Sequence, residues 1–475
     1  MNYINDDTII ALSSSPGRGA ISVVRISGKN TLTILENITS KSSQDYIPFK
    51  KEEIEKRPRH LMRAFFFIEG NIIDDGLFAF FPLPNSYTGE DVAEIYLHGN
   101  PLISRRLIQF VSKKGLARPA LQGEFTRRAF LNGKMDLTKA ESIQRLISAK
   151  SEYELQAARR VYFGDLYRII NRIRSEIILL KAQVEAEIDF SDQDIDYSEK
   201  QQLIEKTKAI IRQIDEVLKR SSHATKVSQG FQIALVGKTN AGKSSLMNKI
   251  LGWERSIVSE VEGTTRDYVS EEIEIAGVNV RLVDTAGLRK TSDVIEREGI
   301  KRAKEIMEKS QLILHIIDGS IEMYEFLPEF LEFLESNKDK YSKKILYVIN
   351  KKDILHPNAW SYEKIKEFSQ TEPVVMYVSC KTGEGLNDLF NQLENAIKEE
   401  FQIQDPFLLE ERQIYHFNRI RNSLDNVIHL WEEHTPDEIV AIEIQNAIDN
   451  IAELTGEITT EEVLGKIFSM FCIGK

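Results

Sequence analysis

The chain has 475 residues, of which 42% are hydrophobic and 28% are charged, and its formal net charge is −11. This composition is typical of a folded globular protein with about three domains of roughly 150 residues each. No apolar run approaches the ~20 residues of a membrane span, no basic leader precedes the first apolar segment, and the two cysteines are too few for a disulfide framework. We therefore expect a cytoplasmic protein without membrane contact, in which any nucleic-acid contact depends on a local basic patch.

Residues 1–132 have the pattern of a mixed α/β domain. A helix that begins with a proline in its first turn is predicted over 101–111. Short β-like runs separated by turn residues are predicted at 8–12, 20–26, 60–68, 72–81 and 91–97.

From residue 137 the apolar period becomes helical. The clearest seam consists of Leu166, Ile170, Ile173, Ile177, Leu180 and Val184. This spacing favours packing against helices of the same chain, with a helix that binds a partner protein as the alternative. Helical patterns resume over 203–218 and after Pro406, where breaks are predicted near Pro436 and Gly456.

Between these helical regions, residues 227–400 alternate strand and helix, as a parallel sheet requires. An edge strand is predicted over 271–275, and the central strands are predicted at 233–236, 280–283, 312–317, 345–349 and 374–378. Helical sequence on both sides indicates that this α/β unit is inserted into a helical-bundle domain. The predicted divisions are 1–132, 133–226, 227–400 and 401–475.

The segment from Phe231 to Ser245 carries the strongest local signal. An apolar run leads into Gly237-x-x-x-x-Gly242-Lys243-Ser244, which has the spacing of a phosphate-binding loop. In such a loop the backbone amides cradle phosphate oxygens, the lysine reaches the β- and γ-phosphates, and the serine hydroxyl ligates Mg²⁺. We expect the nucleotide to contact Asn240, Ala241, Gly242, Lys243, Ser244 and Ser245.

Four later motifs, each predicted near the end of a strand or between strands, agree with this loop. Thr265 in the mobile loop 263–267 can ligate Mg²⁺, and Asp284, which begins the motif Asp284, Thr285, Ala286 and Gly287, can hold it through water. In the motif Asn350, Lys351 and Asp353, the Asp can accept two hydrogen bonds from guanine. The last motif, Ser379, Cys380 and Lys381, closes the base pocket. Each motif is weak alone, but all five in this order predict GTP as the substrate and resemble the translation-factor-related class of small GTPases.

The residue after Gly287 raises a catalytic question. Many GTPases place there a Gln that orients the attacking water, whereas this chain has Leu288, which cannot do so. Another residue must orient the water, and another cation must offset the transition-state charge.

Further marks of the chain are Asn240 and the segments 24–28 (VRISG), 89–91 (GED), 128–134 (RAFLNGK), 263–267 (GTTRD) and 471–475 (FCIGK). Through these marks the whole chain resembles the MnmE (TrmE) family of tRNA-modifying GTPases. One departure is Gln122, where the family usually has Pro.

This resemblance implies an N-terminal domain that binds a tetrahydrofolate derivative, in the 5-formyl or 5,10-methylene form, and that forms a homodimer. It implies a partner protein, MnmG, and a tRNA substrate whose wobble uridine receives an aminomethyl-type group. It further implies that K⁺ replaces an arginine finger, that Glu296 orients or activates water, and that Cys472 has a chemical role. From the residues alone, Glu296 would be an ordinary exposed helix residue and Cys472 a small buried apolar one.

By the same resemblance, K⁺ is held by Asn240 and by loop groups at Ser259, Val261 and Thr264. Folate contacts fall on Arg25, Glu94, Lys134 and Lys475, which would otherwise be assigned to surface salt bridges. Cys380 replaces the usual Ala of the base loop and is expected to be inert.

Two other functions are considered. One is a regulatory GTPase of ribosome assembly, like Era or Der, although residues 401–475 lack the GxxG loop of a KH module and the chain has one phosphate loop. The other is a GTP-dependent scaffold. The tRNA-binding surface is left open among three arginine pairs, Arg105–Arg106, Arg127–Arg128 and Arg159–Arg160.

Overall fold

The structure is a computed structural model, and it describes residues 7–189, 197–253, 270–284, 305–325, 345–368, 372–401 and 407–475. The chain divides into two compact units. The first comprises Met1–Ile147, Arg159–Asp215 and Glu410–Lys475, and the second comprises Ser148–Ala158 and Glu216–Leu409.

The described strands and helices are numbered in chain order. The strands are β1 Ile9–Leu12, β2 Ile21–Ser27, β3 Thr39–Ser40, β4 Met62–Ile68, β5 Asn71–Phe81, β6 Val92–His98, β7 Arg118–Pro119, β8 Phe231–Val236, β9 Ser270–Ile275, β10 Val278–Asp284, β11 Leu312–Asp318, β12 Ile345–Asn350 and β13 Val374–Tyr377. The helices are α1 Thr31–Ile38, α2 Lys51–Glu55, α3 Pro101–Lys113, α4 Glu124–Leu131, α5 Leu137–Ser148, α6 Glu152–Tyr162, α7 Asp165–Asp189, α8 Tyr197–Ser228, α9 Lys243–Leu251, α10 Tyr362–Phe368, α11 Leu386–Phe401, α12 Glu411–Glu432, α13 Asp437–Thr455 and α14 Glu461–Phe468.

The first unit contains a seven-stranded sheet in the order β3-β4-β5-β6-β2-β1-β7. Its pairs are antiparallel except for β1 with β7. Period-2 alternation turns one face toward α1 and α3, where Ile26, Phe66, Phe78 and Ile95 are buried with Leu107. The strands and the helix at Pro101 predicted for this region are confirmed.

The helical part of the first unit explains the seam on α7. All six seam residues are buried, and α13 packs against both α7 and α12. The seam therefore serves packing within the chain, as predicted, rather than the binding of a partner helix. The predicted break at Gly456 is also confirmed, because this glycine ends α13 with a left-handed φ of 88°.

The C-terminal tail packs against the N-terminal sheet region. Ile473 pairs with Gln122 in an isolated antiparallel bridge, and the Phe125 amide donates to the Lys475 carbonyl at 3.2 Å. On the other side of the tail, Ser13 Oγ donates to the Gly474 carbonyl at 2.9 Å. The turn at Gln122 is thus held by long-range backbone pairing.

The second unit contains a six-stranded sheet in the order β13-β12-β11-β8-β10-β9. Every pair is parallel except that of β10 with β9, which lies at the edge as predicted. The carboxyl ends of β8, β10, β11 and β12 therefore meet at one edge, which is where open α/β sheets place ligands. Within the described ranges, no helix is both long and apolar enough to cross a membrane.

Candidate functional site: a nucleotide cleft and a second polar cluster

A cleft of about 630 Å³ lies at the carboxyl edge of the second sheet. It is formed by the loops that follow β8, β12 and β13. The lining residues are Thr239, Asn240, Gly242, Lys243, Ser244, Ser245, Asn350, Lys351, Asp353, Ile354, Cys380 and Lys381. All except Thr239 and Ile354 were predicted from motifs as nucleotide contacts.

The loop after β8 requires glycine at two positions. Gly237 has φ 151°, and a Cβ there would lie 2.2 Å from the Ile316 carbonyl oxygen. Gly242 has φ 95°, and its Cβ would lie 2.1 Å from Asn350 Nδ2. Asn240 is also left-handed, with φ 67°. Since α9 begins directly after Gly242, the amides at its N-terminus add to the anion-binding character of the loop.

Lys243 is 4% exposed, and its ammonium folds back over the loop. Its Nζ donates to the carbonyls of Gly237 at 2.8 Å and Lys238 at 2.6 Å. A buried ammonium above a ring of amides is a site for phosphate oxygens.

Ser244 and Asp284 meet beside this loop, although they come from different elements. Ser244 Oγ lies 3.4 Å from Asp284 Oδ2, and Asp284 is 7% exposed at the end of β10. A hydroxyl and a carboxylate are the oxygen ligands that Mg²⁺ takes in nucleotide sites. The donor set thus fits the predicted metal.

Asn350 connects the three loops of the cleft. Its Nδ2 donates to the Ala241 carbonyl at 3.0 Å, and its Oδ1 accepts from the Cys380 amide at 3.2 Å. The residue is 2% exposed. Both of its hydrogen-bonding atoms hold backbone, so its side chain ties the three loops of the cleft together.

Asp353 is the exposed carboxylate at the base end of the cleft. It accepts a 2.6 Å hydrogen bond from Ser379 Oγ, which lowers the pKa of the Asp353 carboxyl below its usual value. An ionised carboxylate here can accept two hydrogen bonds from the guanine edge, which adenine does not offer. Burial raises the pKa of the nearby Cys380 thiol, in keeping with the prediction that this cysteine is inert.

Lys351 has a partner that the motifs do not reveal. Its Nζ lies 2.6 Å from Asp318 Oδ2, and its backbone is left-handed with φ 63°. Burial alone would raise the pKa of Asp318, but hydrogen bonds from Lys351 and Ser320 bring it below its usual value. Asp318 is the last residue of β11, so its place at the carboxyl edge was a signal available in the sequence.

His315 is a second residue that the motifs do not reveal. It stands in the middle of β11, it is 2% exposed, and its ring lies 5.7 Å from that of Tyr347. Burial, with a smaller effect from the charge of Lys243, lowers the pKa of His315 to about 3. The imidazole is therefore neutral beneath the phosphate loop.

Several predicted residues lie outside the described residues, and their roles stay predictions. These are Ser259, Val261, Thr264, Thr265, Thr285, Ala286, Gly287, Leu288 and Glu296.

The first unit contains the polar pair Arg25 and Glu94, which face each other on β2 and β6. Arg25 Nη2 lies 2.9 Å from Glu94 Oε1, and the two side chains are only 14% and 20% exposed. The guanidinium lies 5.1 Å from the ring centre of Tyr87 and 5.7 Å from that of Phe125. Tyr96 donates to Glu94 Oε2 at 2.7 Å, and burial together with this bond raises the pKa of Tyr96 to about 12.

The other predicted folate residues lie in two places. Lys475 is near Arg25, because its carbonyl binds the amide of Phe125, whose ring contacts the guanidinium. Lys134 is exposed and donates to the Pro84 carbonyl at 2.9 Å. Cys472 is exposed, so the alternative of a small buried apolar residue is wrong.

Comparisons with known proteins show similarity over essentially the whole chain. A family model described as "MnmE helical domain" matches residues 137–472, and one described as "GTP-binding protein TrmE N-terminus" matches residues 8–134. A protein of Leptospira interrogans named tRNA modification GTPase MnmE is 43% identical, over 99% of this chain and 100% of its own. Proteins with the same name from Aquifex aeolicus and Coxiella burnetii are 37% and 35% identical, over 99% and 100% of this chain and 100% of their own.

Proposed function

The chain belongs to the MnmE family of tRNA modification GTPases, and from this premise we propose that it hydrolyses GTP as part of the modification of wobble uridine 34 in certain tRNAs. The reaction uses a tetrahydrofolate one-carbon unit to form the 5-carboxymethylaminomethyl or aminomethyl group, and it requires MnmG and a homodimer of this chain in the cytoplasm. The observation that supports the GTPase assignment is the cleft lined by Lys243, Ser244 and Asp353, with Asp284 next to Ser244.

Each side chain of the cleft has a task in GTP hydrolysis. Lys243 and the α9 amides bind the β- and γ-phosphates, while Asp353 selects guanine. Ser244 and Asp284 would hold Mg²⁺, which supplies charge neutralisation at the phosphates when bound. Asn350 fixes the distance between the phosphate and base ends, since it bonds to backbone on both sides.

The transition state needs a further cation and a residue that orients water. Because Leu288 replaces the usual Gln, we assign water orientation to Glu296 and the missing positive charge to K⁺ at Asn240, Ser259, Val261 and Thr264. A cation beside the γ-phosphate would act by direct electrostatics, in the place where an arginine finger, worth about 10³–10⁵-fold, stands in other GTPases.

The folate is assigned to the cluster around Arg25 and Glu94, with Lys134 and Lys475. Partial burial and two aromatic rings suit the flat pterin, and Glu94 can accept hydrogen bonds from its edge. The positive charges of Arg25, Lys134 and Lys475 can bind the carboxylates of the folate's glutamate tail. Exposed Cys472 is assigned a chemical role in the same region, because its carbonyl accepts from the Gly123 amide at 3.4 Å, two residues from Phe125.

Turnover of the purified full-length chain in K⁺ and in Na⁺ tests the cation assignment. We expect hydrolysis to be faster in K⁺ by at least about 10-fold, whereas equal rates would remove the cation role. Glu296→Ala should abolish most hydrolysis and leave GTP affinity within about 2-fold. Hydrolysis that survives in this variant would show that another residue orients the water.

The domain division 1–132, 133–226, 227–400 and 401–475 is part of this proposal. The segment 227–400 would be the GTPase domain inserted between the two helical segments. The ribosome-assembly alternative receives no support from the full-length similarity.

A further inference from the structure

Helix α3 belongs to a stretch of unusual charge. Over the whole chain Asp and Glu outnumber Lys and Arg, 73 to 62, yet no acidic residue stands between Glu94 and Glu124. Within this stretch α3 and the residue after it contain Arg105, Arg106, Lys113 and Lys114. Helix α3 of this acidic protein therefore has no negative side chain and several positive ones.

The cations of α3 lie on its exposed face. Arg105, Arg106 and Lys113 are exposed and follow a helical spacing, whereas Leu107 and Val111 are buried against the sheet. At 1.5 Å per residue, the span from position 105 to 113 is about 12 Å. A duplex nucleic acid presents several phosphates over that length.

These three cations have no carboxylate partner within the described part of the chain. Both arginines of a second pair named in the sequence analysis, Arg127–Arg128, have carboxylate partners. Arg127 lies 2.6 Å from Glu461, and Arg128 is 5% exposed and lies 2.6 Å from Asp7 and 3.0 Å from Glu124.

In the third pair, Arg159–Arg160, one arginine lies next to a carboxylate. Arg160 lies 3.0 Å from Asp165, which leaves only Arg159 exposed there. The geometry thus separates three candidates that the sequence treated alike, and α3 is the one whose exposed cations at positions 105, 106 and 113 all lack a carboxylate partner among the described residues.

We propose that the exposed face of α3 docks the sugar-phosphate backbone of the tRNA substrate. The net charge of −11 repels a polyanion from most of the surface, so close approach is favoured where the local potential is positive. Arginine forks match phosphate oxygens in a bidentate manner. Contacts of this kind position the tRNA without reading its sequence, which suits a protein that must hold tRNAs of different sequence.

The inference rests on the proposed function and is tested by binding of unfractionated tRNA to the full-length chain between about 50 and 200 mM salt. The test variant combines Arg105→Gln, Arg106→Gln and Lys113→Gln. The matched control combines Lys41→Gln, Arg63→Gln and Arg172→Gln, which removes the same charge from cations that already have carboxylate partners.

For the test variant we expect the slope of log K against log salt to decrease by about 2.7, from three phosphate contacts at about 0.9 each. The affinity at the lowest salt should fall at least about 10-fold. The control should stay within about 2-fold of the unmodified chain, and both variants should keep the GTP turnover and melting temperature of the unmodified chain.

An unchanged slope in the test variant, or an equal loss in the control, would overturn the inference. It would also be overturned if the unmodified chain bound no tRNA at any salt. In that case the proposed function is still judged separately, by the modification state of wobble uridine in a deletion strain.

Discussion

The substitution Gly242→Ala tests the geometry of the nucleotide cleft most sharply. Gly242 has φ 95°, and an added Cβ would lie 2.1 Å from Asn350 Nδ2. The matched control is Gly277→Ala in the same unit. Gly277 has a similar φ of 79°, but its Cβ would only reach ordinary contact, 3.9 Å from Glu152 Cβ.

Both substitutions impose the same left-handed strain on alanine, about 1–2 kcal/mol. Only the change at Gly242 also displaces Asn350, which then loses its bonds to Ala241 and Cys380. At about 1 kcal/mol for each bond, the additional loss is about 2 kcal/mol. If the displaced loops must be restored for GTP to bind, nucleotide affinity falls about 30-fold.

The assay is titration with a fluorescent GDP analogue, together with thermal melting. We expect Gly242→Ala to melt several degrees below Gly277→Ala, because of the additional loss of about 2 kcal/mol, and we expect a nucleotide affinity that is lowered only in Gly242→Ala. Equal affinities in the two variants would refute the conclusion that Asn350 holds the cleft in its binding shape.

Three further predictions follow from single contacts. Asp318→Asn should raise the KM for GTP about 10-fold and leave kcat nearly unchanged, because Lys351 loses its charge partner at the base end; a fall in kcat alone in steady-state kinetics would contradict this role. His315→Leu should make the free energy of unfolding less dependent on pH in the acid range. Because the folded pKa of about 3 lies below the unfolded value of about 6.5, stability is lost as pH falls from about 6.5 toward 3, by about 2 kcal/mol at pH 5. Denaturation of both chains at pH 5 and pH 7.5 measures the difference, and an equal pH dependence would show that His315 is not its source. Glu94→Gln should weaken binding of 5-formyl-tetrahydrofolate at least about 10-fold in calorimetry and leave GTP turnover unchanged; unaltered folate affinity would remove Glu94 from that site.

Local patterns were enough to predict most of the sheet and the cleft. The phosphate loop, the strand that precedes it and Asp353 are defined by short spacings that reflect local backbone geometry. The edge position of β9 was also predicted, since its residues alternate while those of the central strands form continuous apolar runs.

What was missed depends on contacts between distant residues. Lys351 and Asp318 are 33 positions apart, and Ser13 and Gly474 are 461 apart, so no periodicity links them. Helix α1 was also missed, because its first turn has no acidic residue and its N-cap has no side-chain hydrogen bond. The run 312–317 was predicted as a central strand, but the place of His315 next to the phosphate loop depends on the parallel pairing of β11 with β8.

The three arginine pairs show the same limit in the candidate RNA surface. Their sequences are alike, but Arg128 is buried with Asp7, which lies 121 positions away, whereas Arg105 and Arg106 face outward. Whether a positively charged side chain has a carboxylate partner depends on the tertiary structure. The sequence could therefore name the candidates but could not choose among them.

The central claim is that GTP hydrolysis in this cleft serves tRNA modification. The most direct measurement is mass analysis of wobble uridines from a strain that lacks the chain, complemented with either the unmodified gene or the Lys243→Ala variant. We predict that the modified nucleoside disappears in the deletion strain, returns with the unmodified chain and stays absent with Lys243→Ala. A normal level of the modified nucleoside in the deletion strain, or full restoration by Lys243→Ala, would contradict the account.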